Sequence, residues 1–371
     1  MKKIFLAILF ALLSNLSFAQ SEQSLIENCI QNYIDGTSYN KPDSISKAFY
    51  SEANLFLSNK EKPLWIVPIS EYVNWFQKGN KGVFNGRLGK IISIEYYNDI
   101  AIAKAEILIP EKKQEFMDMF LLKKLQGEWK IISKSASSKA SSKSGKKILF
   151  IVSNAHYYGN STISTGNSFA EIVNAYDTFV NSGYTVDFVS PEGGDIPLAY
   201  INTSDSLQKQ YLYNQDFMYA IEHTMSPKEI DYKVYKAVHY IGGGSAMYDV
   251  PENLAIQRIA MQVYEDNNGI ISSVCHGTAG IINLKTKNGK FLVEGKKISG
   301  YPDSFEKQDG EYFKHFPFLI QKTIEERGGT FKFSKRNISY VEQDGRIVTG
   351  QNFQSSNGVA LKIIELIEKS N

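Results

Sequence analysis

The stretch SVCHGTAG, residues 273–280, decides the fold of the second half of the chain. It completes a short apolar run, residues 269–274, that is typical of a buried β-strand, and a helix is predicted to begin directly after it. Cys275 therefore stands at the corner between strand and helix, where a tight turn needs small neighbours such as Gly277 and Ala279. This is the arrangement of a nucleophile elbow. The N–H groups at the start of the following helix should favour a thiolate and stabilise a developing oxyanion.

The chain has two cysteines, Cys29 and Cys275, which fall in different predicted domains and are interpreted as free thiols. Cys29 lies on the apolar face of a predicted helix, where a cysteine acts as a small buried hydrophobic residue. A buried structural role is also the alternative for Cys275, but that role would explain neither His276 nor the nearby glycines. In an oxidising compartment a free thiol requires burial or a function, so Cys275 is the candidate nucleophile.

Strands and helices alternate on both sides of the elbow. Strands are predicted at 147–153, 185–190, 237–241, 269–274 and 347–349, and helices at 169–182, 253–266 and 356–368. Such alternation predicts a parallel sheet with helices on both faces, a flavodoxin-like α/β domain over residues 147–371. In folds of this kind the chemistry lies at the carboxyl ends of the strands, which is where Cys275 stands.

The first half of the chain has a different pattern. Apolar residues at helical spacing predict a helix from about Leu25 to Gly36, and shorter helices are expected at 43–49 and 70–78. Strands follow at 88–97, 100–109, 115–125 and 128–133, with turns at 98–99 and 126–127. Helices followed by a meander of strands predict a curved antiparallel sheet wrapped on helices. The segment has no histidine, and its carboxylates are interpreted as solvated, so a structural or dimerising role is expected.

Two segments are expected to lie outside the folded domains. Residues 135–146 are rich in serine and lysine and lack apolar periodicity, which predicts a flexible linker. Near the N-terminus, two lysines precede an apolar run, residues 4–13, that is too short to span a bilayer, and Ser17 and Ala19 supply small residues at the expected cleavage positions. We therefore expect residues 1–19 to be a cleaved signal peptide and the exported protein, periplasmic or secreted, to begin at Gln20. The alternative is an uncleaved anchor.

The composition is that of a globular protein. Of 371 residues, 43% are hydrophobic and 13% aromatic, which argues against disorder. A net charge of +2, from 41 basic and 39 acidic residues, gives no indication of a nucleic-acid or membrane-surface partner. The histidines other than His276 show no paired ligand spacing, so we expect no metal site and no cofactor.

The second domain resembles the ThiJ/PfpI family of the class I glutamine amidotransferase-like superfamily, and within it the glyoxalase III and heat-shock chaperone branch. The resemblance covers residues 146–371, and the motifs occur in the family's order. They are SPEGG at 190–194, IGGGSAMYDVPEN at 241–253, VCHG at 274–277, EGKKISG at 294–300 and VTGQN at 348–352.

This resemblance implies the other members of the site. Glu171 occupies the position of the family's glutamate beside the elbow cysteine, where a buried carboxyl group with a raised pKa would hydrogen-bond the sulfur. The alternative for Glu171 is an exposed helix position. His276 follows the cysteine directly, as in the family, and Glu306 matches the acidic residue that orients this histidine. Asp303 is a rival for the same role.

Departures from the branch pattern concern the substrate pocket. The branch usually has Gly-Gly-His-Gly where this chain has Gly-Gly-Gly-Ser, residues 242–245, so an imidazole that contacts the substrate is missing. The proline that usually follows Cys-His-Gly is Thr278 here. The backbone N–H groups of Gly243 and Gly244 can still form an oxyanion hole, and Gly277 is expected in the same pocket. The identity of the substrate therefore stays open.

The first domain, residues 21–134, resembles the SnoaL-like and lumazine-binding-like branch of the nuclear transport factor 2 superfamily. The resemblance rests on its order of helices and strands and on the closing GEWKII at 127–132. It implies a cone-shaped α+β domain, a fold that can hold a small ligand, act catalytically or dimerise. Because both superfamilies commonly form dimers, the resemblance also suggests a homodimer.

The leading functional hypothesis is an exported glyoxalase III-like enzyme that converts 2-oxoaldehydes such as methylglyoxal to 2-hydroxy acids without glutathione. A related cysteine hydrolase would use the same groups. The expected partner is a small carbonyl substrate, with no nucleic acid and, after signal cleavage, no membrane. The alternative is a non-enzymatic, redox-responsive or chaperone-like binding protein, in which Cys275 oxidises without turnover.

Overall fold

The computed structural model describes residues 21–59 and 61–369. The chain divides into two compact units between Ser141 and Ser142. The expected signal peptide, residues 1–19, lies outside the described residues. Within the described ranges, no helix combines the length and the apolar character needed to cross a bilayer.

Helices pack against a mainly antiparallel sheet in the first unit. The helices are α1 (Glu22–Ser38), α2 (Pro42–Ala48) and α3 (Ile69–Asn74), and the strands are β1 (Phe49–Leu57), β2 (Trp65–Pro68), β3 (Leu88–Tyr97), β4 (Ile100–Ile109), β5 (Gln114–Leu125) and β6 (Glu128–Ala140). The strand order is β2-β1-β6-β5-β4-β3, in which β1 and β6 are parallel. Tyr33 of α1 packs edge-on against Phe49 and Phe120, at 5.9 and 5.1 Å between ring centroids, and so joins helix and sheet. The α+β architecture is confirmed.

The sequence pattern missed β1 and β2, although it located β3, β4 and β5 to within one residue. For β1 the reason lies in its register against β6, which shifts between Phe49 and Asn54. Such an irregularity breaks the alternation of buried and exposed residues by which a strand is recognised in sequence.

Gly36 does not end the first helix as predicted, because α1 continues to Ser38. Here glycine allows a close approach between helices, since a Cβ atom on residue 36 would lie 2.5 Å from Cγ1 of Ile45 in α2. The α1 face that carries Cys29 is buried as expected, and the residue is 6% exposed. Burial raises the pKa of this thiol to about 12, which keeps it protonated.

The predicted linker, residues 135–146, is shorter than expected because β6 extends to Ala140. Its serines and lysines pair with β5 in register from Met119↔Ser135 to Gln114↔Ala140, and the Lys139 ammonium lies 2.8 Å from the Glu115 carboxylate. Backbone pairing with β5 thus stabilises this end of the strand, although its side chains are mostly exposed. Because exposed strand residues can all be polar, no apolar pattern in the sequence predicts a strand there. Residues after Ala140 are also anchored, since Ser144 donates its backbone N–H to the Gly183 carbonyl oxygen.

The interior of the first unit contains a charge that the sequence interpretation treated as solvated. Asp118 is 1% exposed, and its carboxylate lies 2.9 Å from the ammonium group of Lys134, which is 3% exposed. The Tyr33 hydroxyl donates to the same carboxylate at 2.5 Å, and the Lys134 ammonium lies over the Tyr33 and Tyr72 rings. Each member of the ion pair therefore has a further partner, and such partners help to offset the cost of burying the two charges.

The second unit is an α/β fold with a mainly parallel sheet. Its strands are β7 (Lys147–Ile151), β8 (Asn167–Ser168), β9 (Thr185–Val189), β10 (Leu198–Ala199), β11 (Tyr235–Tyr240), β12 (Ile270–Val274), β13 (Lys297–Ile298), β14 (Thr330–Phe331), β15 (Val341–Asp344) and β16 (Ile347–Gly350). Its helices are α4 (Phe169–Asn181), α5 (Ser206–Leu212), α6 (Gln215–Glu222), α7 (Leu254–Met261), α8 (Ile320–Glu326) and α9 (Ser356–Lys369). The main sheet has the order β15-β16-β12-β11-β7-β9, with β15 antiparallel to β16.

Both faces of this sheet are covered. Alternate residues of β7 enter two different hydrophobic clusters, Ile148 and Phe150 on one side and Leu149 and Ile151 on the other. The predicted parallel sheet with helices on both faces is therefore confirmed. In the main sheet, β12 lies between β11 and β16, so the chain leaves its carboxyl end beside the loop that follows β11.

Candidate active site

Cys275 adopts the backbone geometry of a nucleophile elbow. Its φ angle is 55°, a conformation that costs energy for a residue with a side chain and that is often found at functional sites. β12 ends at Val274, and a short 3₁₀ helix, Cys275–Ile281, begins without an intervening loop. Gly277 allows this turn to pack on the end of β11, because a Cβ atom there would collide with the carbonyl oxygen of Tyr240. The predicted elbow is thus confirmed.

His276 bridges the thiol and a carboxylate. The Cys275 sulfur lies 3.3 Å from His276 Nδ1, and His276 Nε2 lies 2.8 Å from Glu306 Oε1. In the tautomer that carries its proton on Nε2, His276 donates a hydrogen bond to Glu306 and can accept one from the thiol at Nδ1. Asp303 instead accepts the backbone N–H groups of residues 321 and 322 at the start of α8, each at 3.0 Å. Of the two rival acids, Glu306 is the one that contacts the imidazole.

Glu171 lies in the first turn of α4 and is 2% exposed. Its Oε2 accepts the backbone N–H of Gly242 at 2.8 Å, and the carboxyl group lies beside the Cys275 side chain, with which it interacts electrostatically. Burial raises the pKa of Glu171 from 4.5 to about 7, while the nearby His276 and the hydrogen bond from Gly242 oppose the increase. The carboxyl group can therefore take or give a proton at neutral pH, beside the sulfur.

The expectation that the elbow favours a thiolate is wrong for the free protein. Burial raises the pKa of the Cys275 thiol well above 9, and the negative charge of Glu171 acts in the same direction. The backbone N–H of His276 lowers this pKa but does not outweigh desolvation. The resting site thus holds a protonated thiol, and attack on a substrate requires that His276 or Glu171 accept its proton as the bond forms.

The three glycines predicted for the pocket occupy positions that exclude a side chain. Gly243 has φ 102°, and a Cβ atom there would collide with the carbonyl oxygen of Gly166. At Gly244, a Cβ atom would lie 2.5 Å from the Tyr158 hydroxyl oxygen. These contacts explain the residue type at each position, whereas the oxyanion-hole role of Gly243, Gly244 and Gly277 stays a prediction.

Aromatic side chains that the sequence reasoning did not single out enclose the imidazole. Tyr301 stacks on His276 with 4.7 Å between ring centroids, and Phe316 meets the same ring edge-on at 5.9 Å. The Tyr312 hydroxyl donates to Glu306 Oε2 at 3.3 Å, and Tyr158 packs against Tyr312 and Phe316. We call Tyr158, Tyr301, Tyr312 and Phe316 the aromatic wall. These residues come from three separate segments of the chain, with Tyr312 and Phe316 together in one of them, so no sequence motif links all four.

Of the remaining histidines, His239 is buried within β11 and lies 2.9 Å from the Ser272 hydroxyl. Burial lowers its pKa to about 3, so it is neutral in the folded protein. Across residues 21–59 and 61–369, no cluster of three or more His, Cys, Asp or Glu side chains is arranged to hold a metal ion.

The raised pKa of Glu171 should make stability depend on pH. The pKa of Glu171 is about 7 in the folded protein and 4.5, the ordinary value, in the unfolded chain. The folded protein therefore binds the proton more tightly than the unfolded chain. The corresponding stability is complete below pH 4.5 and is lost as the pH rises through about 7, to a total of at most about 3 kcal/mol. Urea unfolding at pH 5 and pH 8 should show this loss in the wild type and not in Glu171→Gln. An equal pH dependence in both proteins would contradict the assignment.

Comparison with known proteins adds two family matches. Residues 163–366 match the model of the DJ-1/PfpI family, and residues 21–136 match a family described as lumazine-binding. The glutathione-independent glyoxalase hsp3102 of Schizosaccharomyces pombe is 30% identical over 231 residues, which cover 58% of this chain and 95% of the relative. The glutathione-independent glyoxalase HSP31 of Saccharomyces cerevisiae is 28% identical over 249 residues, covering 60% and 98%.

Solved structures show similarity over the same part of the chain. The crystal structure of glyoxalase III from Candida albicans superposes with a TM-score of 0.54 and 25% identity, covering 60% of this chain and 97% of that one. The Rapid Encystment Protein of 24 kDa from Francisella tularensis gives a TM-score of 0.56 and 28% identity, covering 59% and 98%.

Proposed function

Because the chain belongs to the DJ-1/PfpI family through its second unit, we propose that it is a glutathione-independent glyoxalase in which Cys275 is the nucleophile. The substrate class is a 2-oxoaldehyde such as methylglyoxal, and the product is the corresponding 2-hydroxy acid. One observation carries the proposal: the Cys275 sulfur lies 3.3 Å from the His276 imidazole and beside the buried Glu171 carboxyl group. Two proton acceptors around one sulfur suit a reaction that moves protons between adjacent carbon atoms. The names of the similar glyoxalases support the same chemistry.

The first step is addition of the thiol to the aldehyde carbon. The new S–C bond forms as the C=O double bond opens, and the thiol proton passes through His276 Nδ1 to the aldehyde oxygen, which gives a hemithioacetal. The Glu306 carboxylate stabilises the imidazolium that exists during this transfer, through its contact with Nε2. Backbone N–H groups of Gly243, Gly244 and Gly277 are proposed to bind the developing oxyanion.

The second step moves hydrogen from the aldehyde carbon to the ketone carbon. Glu171, as carboxylate, removes the proton from the hemithioacetal carbon while the ketone oxygen takes a proton from solvent water, which leaves an enediol. Glu171 returns its proton to the former ketone carbon, and the hydroxyl proton at the sulfur-bearing carbon passes to solvent water, which gives a thioester. A pKa of about 7 allows Glu171 to accept and then donate within one cycle.

The third step is hydrolysis. Water attacks the thioester carbon, the C–S bond breaks, and the sulfur recovers a proton as the free thiol. The reaction consumes one water molecule, and because one carbon is oxidised while its neighbour is reduced, it needs no external oxidant or reductant.

The proposal is tested by incubating the chain from Gln20 with methylglyoxal in the absence of glutathione. We expect loss of the dicarbonyl with stoichiometric formation of lactate, followed by an enzymatic lactate assay. If Cys275 reacts with a thiol probe and no lactate forms, the glyoxalase proposal is overturned. Release of acid from an ester or amide substrate would then favour the cysteine hydrolase, and a stable oxidised Cys275 without turnover would favour the redox-responsive binding protein.

A further inference from the structure

Gly244 marks a place where other side chains enter the candidate site. A Cβ atom on this residue would lie 2.5 Å from the Tyr158 hydroxyl oxygen and would also collide with Oγ1 of Thr165. Two hydroxyl groups therefore occupy the space that a side chain at position 244 would take. Oγ1 of Thr165 is buried and has no hydrogen-bond partner among the described residues, so this corner retains unused hydrogen-bonding capacity.

Tyr158 reaches this corner as part of the aromatic wall. Its ring lies 5.2 Å from that of Tyr312, whose hydroxyl donates to Glu306, and 6.1 Å from that of Phe316, which meets His276. The Tyr158 residue is 8% exposed, so its ring is fixed by packing. The hydroxyl group is thereby held on the same side of the pocket as the imidazole and its carboxylate.

Tyr200 brings a second hydroxyl group to the first. Its hydroxyl group interacts electrostatically with Tyr158, Cys275 and Glu171, so the Tyr200 side chain lies near all three. Unlike Tyr158, Tyr200 is 61% exposed, so the pair extends from the buried site to solvent. Burial of its hydroxyl and these negative neighbours raise the pKa of Tyr200, so it stays a neutral hydrogen-bond donor.

The backbone holds Tyr200 in this position at a cost. Its φ angle is 58°, which a tyrosine rarely adopts. The preceding strand, β10, pairs with β8 directly before α4, the helix that carries Glu171. The strands approach closely because residue 166 is glycine, where a Cβ atom would lie 2.8 Å from the carbonyl carbon of Leu198. Strain that is supported in this way, next to reactive groups, indicates a functional position.

We propose that Tyr158 and Tyr200 are substrate-contacting residues, whose hydroxyl groups bind the ketone oxygen next to the carbon that Cys275 attacks. This inference rests on the proposed function and names how the site selects its substrate class. A neutral hydroxyl pair suits an uncharged carbonyl oxygen, and a simple aldehyde has no second oxygen to offer it. The pair therefore makes the site prefer a 1,2-dicarbonyl over a monoaldehyde of similar size.

The preference can be measured without turnover, by protection of Cys275 from alkylation. Iodoacetamide labelling of the Cys275 peptide is followed by mass spectrometry at increasing concentrations of methylglyoxal or of propanal. In Tyr158→Phe and Tyr200→Phe, we expect half-maximal protection to need about 5- to 10-fold more methylglyoxal than in the wild type, the range for one lost hydrogen bond. Protection by propanal should change less than about twofold, because its contacts with the hydroxyl pair are absent.

Tyr184→Phe is the matched control. It also removes a tyrosine hydroxyl that is hydrogen-bonded, to Glu368 at 2.6 Å in a different part of the unit, and should leave both protection curves unchanged. Equal weakening of protection by both aldehydes in the Tyr158 and Tyr200 variants, or no weakening, would overturn the inference. If the wild type forms no lactate but the selective loss of methylglyoxal protection is observed, the glyoxalase proposal fails and the substrate-binding role of the tyrosines stands.

Discussion

Replacing Cys275 by alanine should reduce lactate formation from methylglyoxal by at least about a thousandfold, because no other group in the site can form the covalent intermediate. The substitution removes one sulfur atom from a buried position that is 8% exposed, and it leaves the His276–Glu306 pair in place. The expected result is therefore loss of kcat in a protein that still folds. Initial lactate rates and the unfolding temperature would be measured together.

Cys29→Ala is the control for this experiment. Cys29 is the other buried thiol, and its sulfur lies 3.3 Å from the Ala48 carbonyl oxygen in the first unit, so its removal should leave the rate unchanged. A Cys275→Ala protein that keeps more than a tenth of the wild-type rate would contradict nucleophilic catalysis by this residue. An equal loss in both variants would indicate damage to the fold.

Glu171→Gln should lower kcat by about 100- to 10,000-fold, which is the usual contribution of a positioned general acid or base. Glutamine keeps an oxygen that can accept the Gly242 N–H, so the backbone contact is preserved while proton transfer is lost. The wild-type rate should rise with pH through about 7, as Glu171 loses its proton, and this rise should be absent from the residual activity of the variant. Steady-state rates between pH 5 and pH 9 provide the measurement.

Glu326→Gln is a suitable companion, since the Glu326 side chain is 62% exposed on α8 and should affect neither kcat nor its pH dependence. If Glu171→Gln retains the wild-type rate and pH profile, the proton transfer must be assigned to His276 alone. A higher KM with unchanged kcat would instead mean that Glu171 binds the substrate without moving protons.

The elbow and its domain could be predicted from sequence because the relevant information is local. A buried parallel strand leaves a continuous apolar run, and the turn after it requires glycine or alanine at fixed distances from Cys275. The same reasoning located α4 and α9 to within one residue at each end. It failed for β1, where an irregular register breaks the alternation, and for the end of β6, where exposed serine and lysine residues form a strand supported by pairing alone.

The sequence by itself determined that the chain has two units of different secondary structure, that Cys275 lies at an elbow, and that His276 belongs to the same site. Each of these depends on residues that are adjacent or regularly spaced in the chain. Only the tertiary structure decided that Glu306 rather than Asp303 contacts the imidazole, and that Tyr158 and Tyr200 enter the site. It also reversed the expected ionisation of Cys275, since a pKa depends on burial and on charges brought from distant parts of the chain. The sulfur is desolvated and approached by Glu171 only when α4 packs beside the end of β12. The separation of Glu171 and Cys275 is set by that packing and cannot be predicted from any local pattern of residues.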